Sequence, residues 1–185
     1  MLSGKHILLI ISGGIAAYKS LELIRGLKKS GASVRCILTK GGSHFVTPLS
    51  VIALTEEAIY DDLWSLKDET EMGHIRLSRE ANLVVVAPAS ANIIAQMAHG
   101  LAEDLASTTL LATNRPVMIC PAMNPMMWQH SATQENIDTL RNRGIQIVMP
   151  TDGAMACGET GTGRLREPEE ILEEVTKYFQ QNKPL

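Results

Sequence analysis

The sequence predicts an α/β fold, a doubly wound and mostly parallel sheet in a single domain. Short aliphatic runs alternate with longer amphipathic segments, as expected for strands buried on both faces and helices packed over them. Several runs end in turns of glycine or small residues that open a helix, the connection a βαβ unit uses. At 185 residues the chain has room for one domain with a sizeable core and not for a second catalytic domain.

His6 to Ile11, Val34 to Leu38, Leu83 to Ala87, Val117 to Cys120 and Ile145 to Met149 read as the parallel strands. The first helix is placed over Ile15 to Lys29. Its period turns Ala16, Leu23 and Leu27 to the sheet and Lys19, Glu22, Lys28 and Lys29 to water, and Gly31 stops it. Further helices fall over Ser43 to Leu54, Ser90 to Ala98, Asp104 to Thr113, Ser131 to Arg143 and Pro168 to Phe179, the last with proline at its first position. Two stretches have no regular period. One is Asp61 to Gly73; the other is Thr151 to Arg166, where four glycines surround Cys157 and the chain reads as a mobile flap. Residues 1–180 are read as the domain and 181–185 as a linker or tail.

Lys and Arg number 17 against 20 Asp and Glu, a formal charge of -3, with no basic tract that nucleic acid or an anionic membrane would require. No apolar run approaches the ~20 residues that span a bilayer. The three cysteines have no metal-type spacing, which with the absence of a signal-peptide layout points to a reducing cytoplasm. Small molecules and proteins remain as partners.

Ser12-Gly13-Gly14-Ile15-Ala16-Ala17 brings backbone amides and a helix start to the end of the first strand, where doubly wound folds bind phosphate. The second strand ends in Thr39-Lys40-Gly41, without the acidic residue that binds an adenine ribose, so NAD is disfavoured and a mononucleotide phosphate such as that of FMN fits. A tight βα turn without a ligand explains the glycines equally well. Ala87-Pro88-Ala89-Ser90-Ala91-Asn92 forms a third small-residue turn at the same sheet edge, although Ser90 is also explained as an N-cap and Asn92 as a first-turn residue.

The octet Pro121-Ala122-Met123-Asn124-Pro125-Met126-Met127-Trp128 follows the fourth run directly. Its prolines should stop the strand at Cys120 and hold Asn124 on a fixed turn, from which the amide can donate to a carboxylate. Met123 and Trp128 read as packing residues. Of the five histidines, His6, His44, His99 and His130 open a strand or lie on or beside helices. His74 stands in Gly73-His74-Ile75 beside an irregular stretch, free of helix packing. Cys36 and Cys120 fall in or at strands as buried small residues, whereas Cys157, in Ala156-Cys157-Gly158-Glu159, stands among glycines and polar residues.

The octet, the Gly-His-Ile triplet and the Ala-Cys-Gly-Glu flap resemble the signatures of the flavin-dependent cysteine decarboxylases, whose members act on 4'-phosphopantothenoylcysteine or on the cysteine of lantibiotic peptides. Glu159 departs from the family's usual Asp, and Gly163-Arg164-Leu165 from its Gly-x-Met. The resemblance implies a Rossmann-like flavoprotein fold and FMN contacts at Gly13, Gly14, Ile15, Thr39, Ser90, Asn92 and Ala122. It also implies His74 as base, Asn124 as carboxylate anchor, Met126 as a second substrate contact and Cys157 as the acid of the final step, with no metal. In that scheme oxidation at the sulfur-bearing carbon lets carbon dioxide leave, and the enethiol is reduced to 4'-phosphopantetheine, a reaction of coenzyme A biosynthesis. The same resemblance implies a homo-oligomer, a trimer or dodecamer, and a phosphopantothenate-cysteine ligase domain fused after this one. A peptidyl-cysteine decarboxylase, a flavin prenyltransferase and a non-catalytic flavin-binding regulatory subunit are the alternatives.

Overall fold

The computed structural model describes residues 2–62, 73–156 and 158–182, excepting the side chains of 74 and 75. Six parallel strands form the central sheet, in the order β3-β2-β1-β4-β5-β6. They are β1 His6–Ile11, β2 Ser33–Leu38, β3 Ile59–Tyr60, β4 Leu83–Ala89, β5 Val117–Pro121 and β6 Gln146–Ile147. β1 lies between β2 and β4, so the chain winds outward first to one side and then to the other, the doubly wound arrangement expected. A separate antiparallel pair, β7 Thr151–Ala154 and β8 Thr160–Arg164, stands beyond the sheet.

Strand residues alternate between two cores. Leu9, Ile11, Cys36, Leu38, Val85 and Met118 face helices α1 Lys19–Lys29 and α8 Pro168–Gln181, through Leu23, Leu27, Ile171 and Val175. Leu8, Ile10, Ile37, Val84, Val86 and Ile119 face α4 Ala91–His99, α5 Leu105–Ala112 and α7 Ser131–Asn142. Each fully buried aliphatic side chain of this kind contributes about 1.5–3 kcal/mol, so the two cores hold the sheet edge that carries the loops. α2 Pro48–Thr55 covers the first core beside β2, and α3 Gly73–Glu80 packs near α5 over the second.

Several expectations are corrected, the first being that the helix expected over Ile15 to Lys29 opens with a 3-10 turn, Ile15–Tyr18, before α1. The segment read as one helix from Ser43 divides into a 3-10 turn, Gly42–His44, and α2, because Thr47 caps a new start at Pro48 by accepting from Ser50 N–H. β5 continues through Pro121, opposite Ala89, where a register irregularity makes the missing N–H harmless and Ala122 N–H donates to Ala89 instead at 3.0 Å. β6 is shorter than Ile145 to Met149, as fits an edge strand, and the edge strand β3 was not expected. The glycine-rich stretch from Thr151 is a hairpin paired from Thr151 with Arg164 to Ala154 with Thr160. Finally, His74, expected beside the irregular stretch and outside any helix, belongs to the first turn of α3.

No helix among the described residues is long and apolar enough to cross a membrane.

Candidate functional site

The loops after β1, β2, β4 and β5 meet at the carboxyl edge of the sheet, and backbone contacts fix their spacing. Ser12 joins the first to the third: its hydroxyl donates to the Pro88 carbonyl at 2.7 Å and accepts from Ser90 N–H at 2.9 Å. Ser20 in α1 donates to the Ala87 carbonyl at 2.7 Å, drawing the helix against the same loop. Thr39 N–H reaches the Ile11 carbonyl at 3.1 Å, and Thr39 Oγ1 accepts from Gly42 N–H at 3.0 Å. A Cβ on Gly13 would lie 3.1 Å from the Gly41 backbone, and one on Gly42 only 2.5 Å from the Ile11 carbonyl oxygen, so these loops touch where only glycine fits.

A cleft of about 540 Å³ opens over this edge between the Gly-Gly turn, the Asn124 turn and the hairpin. Gly14, Ile15, Ala122 and Asn124, all singled out in the sequence, line it together. Gly14, with φ 145°, leaves open space where a side chain would stand. Gly13 and Thr39 lie in the underlying loop contact, Ser90 caps α4 by accepting from Ile93 N–H at 3.4 Å, and Asn92 is an exposed residue of that helix's first turn. Met126, 69% exposed, points to solvent on the short helix α6, Pro125–Gln129, and is not part of the cleft wall. The side chain of His74, and Cys157, lie outside the described residues.

Asn124 has the most defined geometry. Pro125 holds it extended, at φ -66° and ψ 161°, as N-cap of α6 Pro125–Gln129. Its Oδ1 accepts from Met127 N–H at 2.8 Å. A backbone N–H can be met only by the amide oxygen, so Nδ2 is left as the donor of this cleft-lining residue. Trp128 is buried beneath and Met123 packs against the second core, so the expected packing roles hold.

Lys19, expected in water, is instead in the cleft wall, with its side chain only 11% exposed. Its ammonium donates to Glu167 Oε1 at 2.9 Å and to the Leu165 carbonyl at 3.4 Å. Arg164 pairs with the same carboxylate. The hydrogen bond from Lys19, followed by the charges of Lys19 and Arg164, holds the Glu167 carboxyl below the usual carboxylate range despite some opposing burial. Helical period could not reveal this, since the partner lies 148 residues away. Tyr18 also lines the cleft without having drawn attention in the sequence, and so does Leu165, noted there only as a departure from the family's Gly-x-Met. Burial pushes the Cys36 and Cys120 thiols far up, so both stay protonated at neutral pH. Among the described residues no group of His, Cys, Asp and Glu is placed to hold a metal.

An open parallel sheet whose strand ends gather glycine turns around one cleft defines a doubly wound protein built to receive a nucleotide-like ligand. The chain belongs to the Flavoprotein family, whose model matches residues 1–180. It is 47% identical over 184 residues to the coenzyme A biosynthesis bifunctional protein CoaBC of Haemophilus influenzae, covering all of this chain and 46% of that protein. The chain thus spans about half the length of the curated relatives it matches. Among solved structures, a cysteine-to-serine variant of a PPC decarboxylase in complex with pantothenoylaminoethenethiol is 31% identical with a TM-score of 0.87, the match covering 95% of this chain and 98% of that one. The FMN binding protein AtHal3 is 31% identical with a TM-score of 0.86, covering 97% and 99%.

Proposed function

We propose that this chain is the FMN-dependent decarboxylase of 4'-phosphopantothenoylcysteine, releasing 4'-phosphopantetheine for coenzyme A biosynthesis. The observation that carries the reading is the Asn124 amide, whose oxygen is committed to the α6 cap, leaving Nδ2 as the donor of a residue that lines the cleft shared with the Gly-Gly turn. The cradle fits a flavin mononucleotide. Gly14 leaves room for close approach, and the amides of the turn that follows suit a phosphate. Gly13, Gly14, Ile15 and Ala122 would hold the group, with Thr39, Ser90 and Asn92 placed around them by the resemblance. When bound, FMN supplies a reversible hydride acceptor, the electron sink that a thiol-bearing carbon lacks.

The chain's own residues divide the remaining work. Asn124 donates to the substrate carboxylate and fixes its carbon-carbon bond in the orientation for cleavage. His74 accepts the proton released as the sulfur-bearing carbon is oxidised, a task suited to an imidazole. Cys157 returns a proton to carbon at the end, which separates this reading from a peptidyl-cysteine decarboxylase that releases the enethiol. The resemblance also supports a homo-oligomer, trimer or dodecamer, a ligase domain following residue 185 in the whole protein, and a cytoplasmic setting.

The test is mass spectrometry of the products formed from 4'-phosphopantothenoylcysteine by the flavin-loaded protein and by Cys157→Ser. Saturated thiol from the first and an enethiol two hydrogens lighter from the second are expected. Intact substrate in both would reject the reading, and peptidyl-cysteine and prenyl phosphates would be assayed next.

A further inference from the structure

The hairpin β7–β8 does not hang free over the cleft. Its second strand lies directly on the turn that carries Asn124. Met123 N–H donates to the Gly163 carbonyl at 3.0 Å, one residue before Asn124. A Cβ on Gly163 would overlap the Met123 carbonyl oxygen outright and stand 3.3 Å from Met155 Cε and 3.4 Å from the Asn124 carbonyl oxygen. Gly163 also sits at φ 141°, where a side chain is disfavoured. Two residues earlier, a Cβ on Gly161 would press the Pro125 ring at 3.1 Å. Beyond the strand, the Lys19 ammonium clasps the Leu165 carbonyl and Glu167. The base of the hairpin is therefore bonded to both walls of the cleft.

We propose that Gly163 is a positioning residue: by admitting β8 against Met123 it fixes the Asn124 turn, so that hairpin and carboxylate-binding amide move as one body. The catalytic part of this inference rests on the decarboxylase reading, and the mechanical part does not. A side chain at 163 cannot be absorbed by a rotamer change, because what it meets is backbone. Either β8 lifts from the turn, or Met123 and Asn124 shift with it and the Oδ1 contact to Met127 loosens.

The experiment compares Gly163→Ala with Gly144→Ala in the flavin-loaded protein. Gly144 also has positive φ, 84°, but open space around its Cβ position and no place in the cleft, so it carries the backbone cost without the contact. Amide hydrogen exchange at Met123 and Met127 is read alongside carbon dioxide release. Gly163→Ala is expected to keep its flavin absorbance, exchange both amides at least tenfold faster and release carbon dioxide at least tenfold more slowly. Gly144→Ala should match wild type in each. Met127 exchange unchanged in Gly163→Ala would overturn the coupling, as would unchanged carbon dioxide release in a wild type that turns over. If wild type releases none, the functional reading fails and exchange alone decides the coupling. Should Gly163→Ala not fold, Gly161→Ala replaces it. Threefold faster exchange at Met127 is then expected, and a wild-type rate there would refute the proposal.

Discussion

Replacing Asn124 by Asp and by Ala separates the cap that its side chain forms from the carboxylate contact proposed for it. The oxygen caps α6 through Met127 N–H at 2.8 Å, and the residue lines the cleft. Asp retains a capping oxygen, and Asp and Asn are about equal as N-caps, so Asn124→Asp should change stability by only a few tenths of a kcal/mol. Ala removes the cap at a cost of about 1 kcal/mol, which lowers the melting temperature of a domain this size by roughly 2–4 °C. Activity should follow a different order. On the proposed role both variants lose a hydrogen bond to a charged carboxylate, worth about 1.5–3 kcal/mol or roughly 10–150-fold in rate, and Asp adds like-charge repulsion to it. Asn124→Asp is therefore expected to be the more stable and the less active of the two. Thermal melting and steady-state carbon dioxide release on the same flavin-loaded preparations test this. An Asp variant that melts as low as the Ala variant would show that Oδ1 is not the cap, and an Asp variant with wild-type turnover would refute donation by the amide.

Glu167 offers a pH-dependent test. Its folded carboxyl is held below the ordinary range by Lys19 and Arg164, so its contribution is present above the unfolded value near pH 4 and lost as pH falls through the folded value. Glu167→Gln should thus cost about 0.5 kcal/mol in denaturant melts at pH 7, with the difference closing in acid. Cys36 and Cys120 are buried with raised thiol pKa values, so Cys157→Ser protein should react with a thiol reagent at neutral pH only as fast as it unfolds; rapid labelling of the native variant would contradict their burial. Gly42→Ala would place a methyl 2.5 Å from the Ile11 carbonyl oxygen and 2.8 Å from Leu38 Cδ1, an overpacking cost of about 1–3 kcal/mol seen as a lower denaturant midpoint with weakened flavin retention. Ser12→Ala leaves the Ser90 N–H without its acceptor and should cost about 1–3 kcal/mol, more than Ser20→Ala, which removes only one donor from the Ala87 carbonyl.

The sheet was legible because strands buried on both faces are continuous aliphatic runs, as at Leu83 to Ala87, and these need no alternation to be recognised. β3 was not, since two residues whose burial is partial carry no such run. The hairpin was missed for a related reason. Thr151-Asp152-Gly153-Ala154 and Thr160 to Arg164 bury little apolar surface of their own, and the pairing gains support from Gly163 docking on Met123, a contact 40 residues distant that no periodicity records. In the cleft, Gly14, Ile15, Ala122 and Asn124 stood out because glycine and proline constrain the backbone locally, and local constraints are written in local sequence. Lys19 was misplaced because helical period assigns a face and not a partner. On the exposed side of an ideal α1 it would be solvated, yet α8 begins at Pro168 beside it and brings Glu167 within 2.9 Å.

The hydrogen bonds at the sheet edge also explain why these loops can support a cleft at all. A turn of glycines is flexible by itself, and a flavin bound to a flexible turn would lose much of its binding energy to ordering the chain. Here the ordering is built in during folding: the Ser12 hydroxyl closes the first loop on the third, Gly13 and Gly41 interlock the first with the second, and Ala122 N–H joins the Asn124 turn to β4. The side chains at most of these joints are hydrogen atoms or one hydroxyl, because backbone must approach backbone. Small residues at the carboxyl edge thus serve rigidity as well as room, and enlarging any of them should loosen ligand binding before it unfolds the sheet, whose two cores lie elsewhere.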